Sequence, residues 1–322
     1  MKEKTINFLK IAVRWVLFFA IFAMIFTYCS DMVRRQDDEV DAIYGFYGEE
    51  ENTIDALFMG SSPYLRGISP NTMEANGFTS YVRASALQPP SVTYHLLAES
   101  LEYQSPELVV LFPDNIFTEY DYVEREGDLR RALDGMKISS HKIKAVSVIT
   151  EADERQSMLS YLFPLFRYHD RWKEVEWGVT EPEPLPVISE TDGNVPLPDT
   201  APQEYPENFM EDMGEALPEL DAESAYYFAK IIDLCAENDI EVLLLHLPKM
   251  SWSYAQSEAI ANFAEEMGID YLDMDVEEIR NQLNLDPQVD YYDQGHMNTT
   301  GSIKISEWLG EYLTSAYQLH EK

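Results

Sequence analysis

The stretch that most constrains this chain is Leu108-Val109-Val110-Leu111-Phe112, five consecutive apolar residues that stop at Pro113-Asp114-Asn115. A β-branched run with no polar face has to be covered on both sides, as the strands of a parallel sheet are. Similar short runs recur at Ile54 to Met59, Thr79 to Ala84, Ile240 to His246 and Ile269 to Asp273. Helical patterns alternate with them. One runs through Tyr94, Leu97, Ala98 and Leu101 behind Pro89 and Pro90, and others cover Asp221–Asn238, Ala255–Met267 and Thr300–Leu319. Ala225, Phe228, Ala229, Ile232 and Leu234 are expected on the buried side of the second, and Ile303, Trp308, Leu309, Tyr312 and Leu313 on that of the last. Strand and helix in alternation predict a three-layer α/β/α domain with a mainly parallel central sheet over residues 53–322.

The alternation breaks once, at about 123–220. From Val123 to Trp177 the pattern is that of two or three amphipathic helices in which no chemistry is evident, His141 and His169 included. From Gly178 to Leu220, eight prolines are spread through acidic sequence without an apolar period, which is incompatible with regular structure. This segment is either an arm covering the site or a disordered insertion.

In front of the domain, Ile11 to Cys29 is apolar over roughly the length that spans a bilayer. Lys2, Lys4, Lys10 and Arg14 lie on its N-terminal side, whereas Arg34 and Arg35 on the other are followed at once by Asp37, Asp38, Glu39 and Asp41. The expectation is a cytoplasmic segment 1–10, a transmembrane helix 11–29, an acidic linker 30–52 with some helical content and an exported domain. A cleaved signal peptide is the alternative, but no Ala-x-Ala-like site follows the apolar run and Phe26-Thr27-Tyr28-Cys29 is a poor lipoprotein box. With 58 acidic against 23 basic residues, the net charge of -35 argues against nucleic acid or an anionic membrane surface as a partner, since either would need a basic patch against a repulsive background. Cys29 and Cys235 are the only cysteines, so no disulfide framework and no cysteine-built metal site is expected.

Two places carry chemistry. The first strand ends at Gly60-Ser61-Ser62-Pro63, which leaves a serine at the edge where α/β sheets place their ligands. Just before the last helix stands Tyr291-Tyr292-Asp293-Gln294-Gly295-His296-Met297-Asn298, in which Asp293 and His296 are spaced to share a hydrogen bond that fixes the imidazole tautomer. Strand ends of a parallel sheet share one edge, so Ser62, His296 and Asp293 are expected to meet as nucleophile, base and orienting carboxylate. Asn115 and Gln88 are candidate oxyanion donors. His246, Lys249 and Trp252 lie on the same predicted edge, Lys249 to meet an anionic substrate and Trp252 to stack on a sugar. Asn298 is expected to cap the last helix.

Phe58-Met59-Gly60-Ser61-Ser62 resembles the first block of the SGNH (GDSL-type) hydrolases, with Ser61 where that block usually has Asp, and Asp293-Gln294-Gly295-His296 resembles their last block, Asp-x-x-His. The likeness is greatest to the membrane-anchored bacterial branch that includes the teichoic acid D-alanine transfer protein and the alginate-type O-acetyltransferases. It implies an SGNH/flavodoxin-like fold, no cofactor and acyl-ester chemistry on surface glycans, with an acyl-exporting membrane protein as possible partner. Two family features are missing. Arg83-Ala84-Ser85-Ala86 lacks the glycine of the second block, and Leu111-Phe112-Pro113-Asp114-Asn115 stands where Gly-x-Asn-Asp is usual. Three activities follow as expectations: acyl transfer, hydrolysis of surface esters, or a non-catalytic module that binds glycan or scaffolds an envelope assembly.

Overall fold

Five short strands form one sheet: β1 (Ala56–Gly60), β2 (Ser80–Ala84), β3 (Leu108–Leu111), β4 (Glu241–His246) and β5 (Asp270–Asp273), all parallel in the order β2-β1-β3-β4-β5. The structure, a computed structural model, describes residues 2–34, 37–152, 155–175, 189 and 191–319. Residues 176–188 and 190, at and within the start of the proline-rich stretch, lie outside them. Side chains alternate across the sheet into two cores. Leu57, Met59, Val109, Leu111, Val242 and Leu244 face one, and Ala56, Phe58, Leu108, Val110, Leu243 and Leu245 the other. The doubly covered parallel sheet is as the apolar runs require.

The helices, in chain order, are α1 (Lys2–Val33), α2 (Asp38–Gly45), α3 (Ser62–Gly67), α4 (Pro70–Met73), α5 (Pro90–Ser100), α6 (Glu126–Gly135), α7 (Ser140–Ala152), α8 (Met158–Leu162), α9 (Pro164–Tyr168), α10 (Ala222–Glu237), α11 (Tyr254–Met267), α12 (Glu277–Leu283) and α13 (Thr299–Tyr317). Helices α3, α4 and α13 cover one face of the sheet, and α5, α10 and α11 the other, with α7 packed outside α5. Helix α1 contains one stretch, Ile6–Ser30, with a mean hydropathy of 2.2, long and apolar enough to cross a membrane.

Three parts depart from expectation. Residues 30–52 are not a detached linker. Ser30 to Val33 complete α1, and α2, capped by the Asp37 carboxylate, buries Val40 and Ile43 in the domain, followed by Phe46. Val40, Ile43 and Phe46, at a spacing of three in and just beyond an acidic eight-residue helix, are too short a signal to be seen as a pattern. In α13, Ile305 is buried while Ile303 is exposed. The short charged helix α12 was not anticipated.

The described part of the proline-rich stretch is an arm bound across the domain. Among the described residues, Thr191 to Leu220 forms no helix or strand. Its hydrogen bonds go instead to distant segments: Val82 N–H donates to Asp192 O (2.8 Å), Val195 N–H to Leu65 O (2.9 Å), Thr299 N–H to Leu197 O (2.8 Å) and Ala201 N–H to Tyr291 O (3.2 Å). Gly193 sits at φ +84° where a Cβ would overlap the carbonyl oxygen of Val82, so only glycine lets the arm approach β2 so closely.

Candidate functional site

Helix α3 starts where β1 ends, and the turn between them is made possible by Gly60, at which a Cβ would overlap that of Phe112. This places Ser62 at the point where the sheet order reverses, because the chain leaves β1 for β2 on one side and reaches β3 on the other. Crevices at such switch points are the usual ligand sites of open α/β sheets. Helix α3 is fixed on both sides of Ser62's own turn. Tyr64 Oη–H donates to Leu245 O (2.7 Å), and Arg66 reaches Val195 O (2.9 Å) and the Glu39 carboxylate (2.8 Å).

The second half of the site is a tight turn closed by an antiparallel bridge between Tyr291 and Met297. Tyr292 N–H donates to His296 O (2.9 Å), and Gly295 N–H to Asp293 Oδ1 (2.7 Å), so the aspartate is held before it meets the histidine. Met250 N–H donates to Gln294 O (2.8 Å), tying the turn to the loop after β4. Asn298 caps α13 through Gly301 N–H (3.1 Å), as expected of it.

Ser62 and His296, 234 positions apart in the chain, come together: His296 Nε2 is 2.9 Å from Ser62 Oγ. On the other side of the ring, Nδ1 lies 2.9 and 3.0 Å from the two Asp293 carboxylate oxygens. A carboxylate accepts only, so the proton is on Nδ1 and Nε2 presents its lone pair to the serine hydroxyl. Ser62, His296 and Asp293 are all half-buried, so the relay is open to solvent and substrate.

The expected oxyanion donors are placed differently. Asn115 Nδ2 donates to the Gln88 carbonyl (2.9 Å). The Gln88 amide is buried, accepting from Ser85 Oγ (3.1 Å) and donating to Thr93 Oγ1 (2.9 Å), so it locks the loop before α5 and faces no substrate. Ala86 N–H, in the segment that stands for the second block, donates to the Glu39 carboxylate (2.7 Å). That carboxylate is buried and also pairs with Arg66. Neither Glu39 nor Arg66 carried a signal in the sequence, because each has meaning only through the other.

The remaining edge residues form a separate buried cluster. His246, wholly buried, is 2.7 Å by Nδ1 from Asp114 and 3.1 Å by Nε2 from Asp275, and Lys249 Nζ bonds Asp114 as well. Trp252 is buried, with its ring stacked 3.8 Å from His246 and its N–H on Asp273 Oδ2 (3.1 Å), which removes it from any sugar-stacking role. Burial alone would lower the His246 pKa, but Asp114 and Asp275 overcome it and hold the imidazole up at about 9. Burial pushes Asp114 the other way, and His246 and Lys249 outweigh it, keeping its carboxyl below the usual range. His246, Asp273 and Asp275 bring ligand atoms within 4.8 Å of one another, the one such group among the described residues. The donor set does not fit a cation. Both His246 nitrogens are committed to carboxylates, and Asp273 already accepts from Trp252, Ser257, Tyr271 and the Asp275 N–H. Lys249 and a protonated His246 supply the positive charge instead.

Compared with known proteins, the chain matches no family model and no curated protein. Among solved structures it is similar to a Bacteroides fragilis protein whose description as an acylhydrolase is itself provisional. Identity is 11%, the TM-score is 0.38, and the match covers 85% of this chain and 95% of that one.

Proposed function

We propose that this chain is a membrane-tethered serine enzyme of the SGNH type acting on acyl esters of cell-surface glycans or polymers outside the cytoplasm. The observation that carries the reading is the Ser62 to His296 distance of 2.9 Å with Asp293 bonded behind the ring. His296 takes the Ser62 proton as Oγ bonds the acyl carbon, and returns it to the departing alcohol. The acyl group then passes from Ser62 to a glycan hydroxyl or to water. Proton transfer of this kind contributes on the order of 10²–10⁴-fold. The backbone N–H of Ser62 is the donor left to serve the developing oxyanion, and each such donor is worth about 2.7–4 kcal/mol.

Transfer is favoured over free hydrolysis by how the site is tethered. Glu39, which holds Arg66 of the serine helix, is six residues beyond the end of α1. At a chain reach of about 3.6 Å per residue and a helical rise of about 1.5 Å, Ser62 stays within roughly 40 Å of the end of the anchor. Acyl donors and acceptors held at a membrane, or delivered by an acyl-exporting partner, meet it at a raised effective concentration.

A fluorophosphonate probe applied to wild type and Ser62→Ala tests the reading. Labelling at Ser62 that the variant abolishes supports it, and no labelling under conditions that label a control esterase overturns it. Acylated product with a defined glycan acceptor separates transfer from hydrolysis, which yields free acid only. A non-catalytic glycan-binding role is favoured by one observation, the engagement of Ala86 N–H and Asn115 Nδ2 elsewhere. It predicts that His296→Ala leaves the cellular phenotype unchanged where deletion does not.

A further inference from the structure

Helices α8 and α9, with the turn His169–Lys173 that follows, project three large apolar side chains into the open: Leu159, Phe166 and Trp172 are 50%, 52% and 54% exposed. They do so beside the anchor. Phe26 of α1 lies 5.5 Å by ring centroid from Phe163 and 6.1 Å from Phe166, and Arg171 donates to the carbonyls of Val33 and Arg34 at the helix end.

Depth and charge both say what covers this patch. Phe26 stands four residues inside the C-terminal limit of the apolar stretch Ile6–Ser30. At about 1.5 Å per residue that is about 6 Å below its end, within the ~5–10 Å to which interfacial apolar faces sink. Charge inverts here too. Between Arg155 and Lys173 there are four basic residues (Arg155, Arg167, Arg171, Lys173) against one acidic (Asp170), in a chain with 23 basic and 58 acidic. Their local partners are Glu126 for Arg167, Glu174 for Arg171 and Asp170 for Lys173. An aromatic and basic patch in an otherwise acidic protein suits the boundary between acyl chains and anionic headgroups.

We infer that α8, α9 and the following turn are a second membrane contact, lying flat in the interfacial layer of the same bilayer that α1 spans, with Phe166 and Trp172 at the acyl boundary and Arg167 and Lys173 among anionic headgroups. The contact rests on α1 crossing a bilayer and is independent of the chemistry at Ser62. It holds the domain at a fixed height and tilt where a single helix would leave it to swivel.

Spin labels test it on the full chain in vesicles of phosphatidylcholine and phosphatidylglycerol at 3:1. Cys29→Ser provides the background, because Cys235 is buried with its thiol pushed up to about 12 and does not react. Labels at positions 166 and 172 are expected to collide with oxygen several-fold more, relative to a water-soluble nickel chelate, than a label at the exposed Tyr226 of α10. Ratios equal to that at 226 overturn the inference, as does a label at Ala20 that reads water, which removes the bilayer from α1. Dipolar coupling between labels at 166 of different chains overturns it in favour of a second copy. Phe166→Ser with Trp172→Ser should return a label at 159 to water exposure, and no change there also counts against it.

Discussion

Two histidines close the C-terminal edge of this sheet, each held by at least one carboxylate, and their partners set them to opposite tasks. His296 has one carboxylate, a serine hydroxyl on its other nitrogen and access to solvent. His246 has a carboxylate on each nitrogen, Trp252 stacked on its face and no exposure. The first keeps a lone pair to give. The second is held as a cation, because Asp114 and Asp275 outweigh the cost of its burial. Chemistry at the edge is therefore decided by what lies on the far nitrogen and by burial.

Exchanging the two sites' sensitivities would break the comparison. His296→Ala should lower kcat/KM on an ester substrate on the order of 10⁴-fold, with the urea midpoint moved little because the ring is half-buried at a turn. A large loss of stability without loss of turnover would reverse the assignment. His246→Leu should do the opposite, destabilising by about 3–5 kcal/mol since Asp114 and Asp275 lose their shared cation in the interior, as urea unfolding will show. The pH dependence has a definite sign. His246 stands at about 9 folded against an ordinary value near 6.5, so its contribution is complete below about 6.5 and is lost as pH rises through 9, roughly 3 kcal/mol in all. That loss between pH 7 and 10 should vanish in His246→Leu. The smallest effect is expected at Asn115. With its amide on the Gln88 carbonyl, Asn115→Ala should cost about 1 kcal/mol of stability and leave kcat within a few-fold, whereas an oxyanion donor would cost about 10²–10³ in kcat.

The same contrast explains what could be read from sequence. Ser62 and the Asp293/His296 turn were legible because each is local: a strand end with small residues and a carboxylate three positions from an imidazole. Strands β1 and β3 were legible because burial on both faces leaves no polar positions in them. The His246 cluster was half visible, its members at strand ends but their pairing not. Asp114, Asp275 and Lys249 come from three different loops, and nothing in Leu247-Pro248-Lys249 says that the amine turns inward. Trp252 was misplaced for that reason. Sequence left the proline-rich segment open between an arm and a disordered insertion, since the backbone bonds that decide it reach about a hundred residues away, as between Leu197 and Thr299. Ile303 and Ile305 differ by a rotation of the helix that only packing fixes.

Helix α2 has a practical consequence for any release of the domain from the membrane-length helix α1. A protease that cuts before Asp37 would shed a body that keeps its cap, Val40, Ile43, Phe46 and the Glu39 pairing with Arg66. A cut after Gly48 would instead pull Val40, Ile43 and Phe46 out, leave Arg66 without its carboxylate and expose Ala86 N–H. Shedding at the first position yields a soluble protein with an intact serine helix, and at the second a loosened one, so where the stem is clipped decides whether the released form still works.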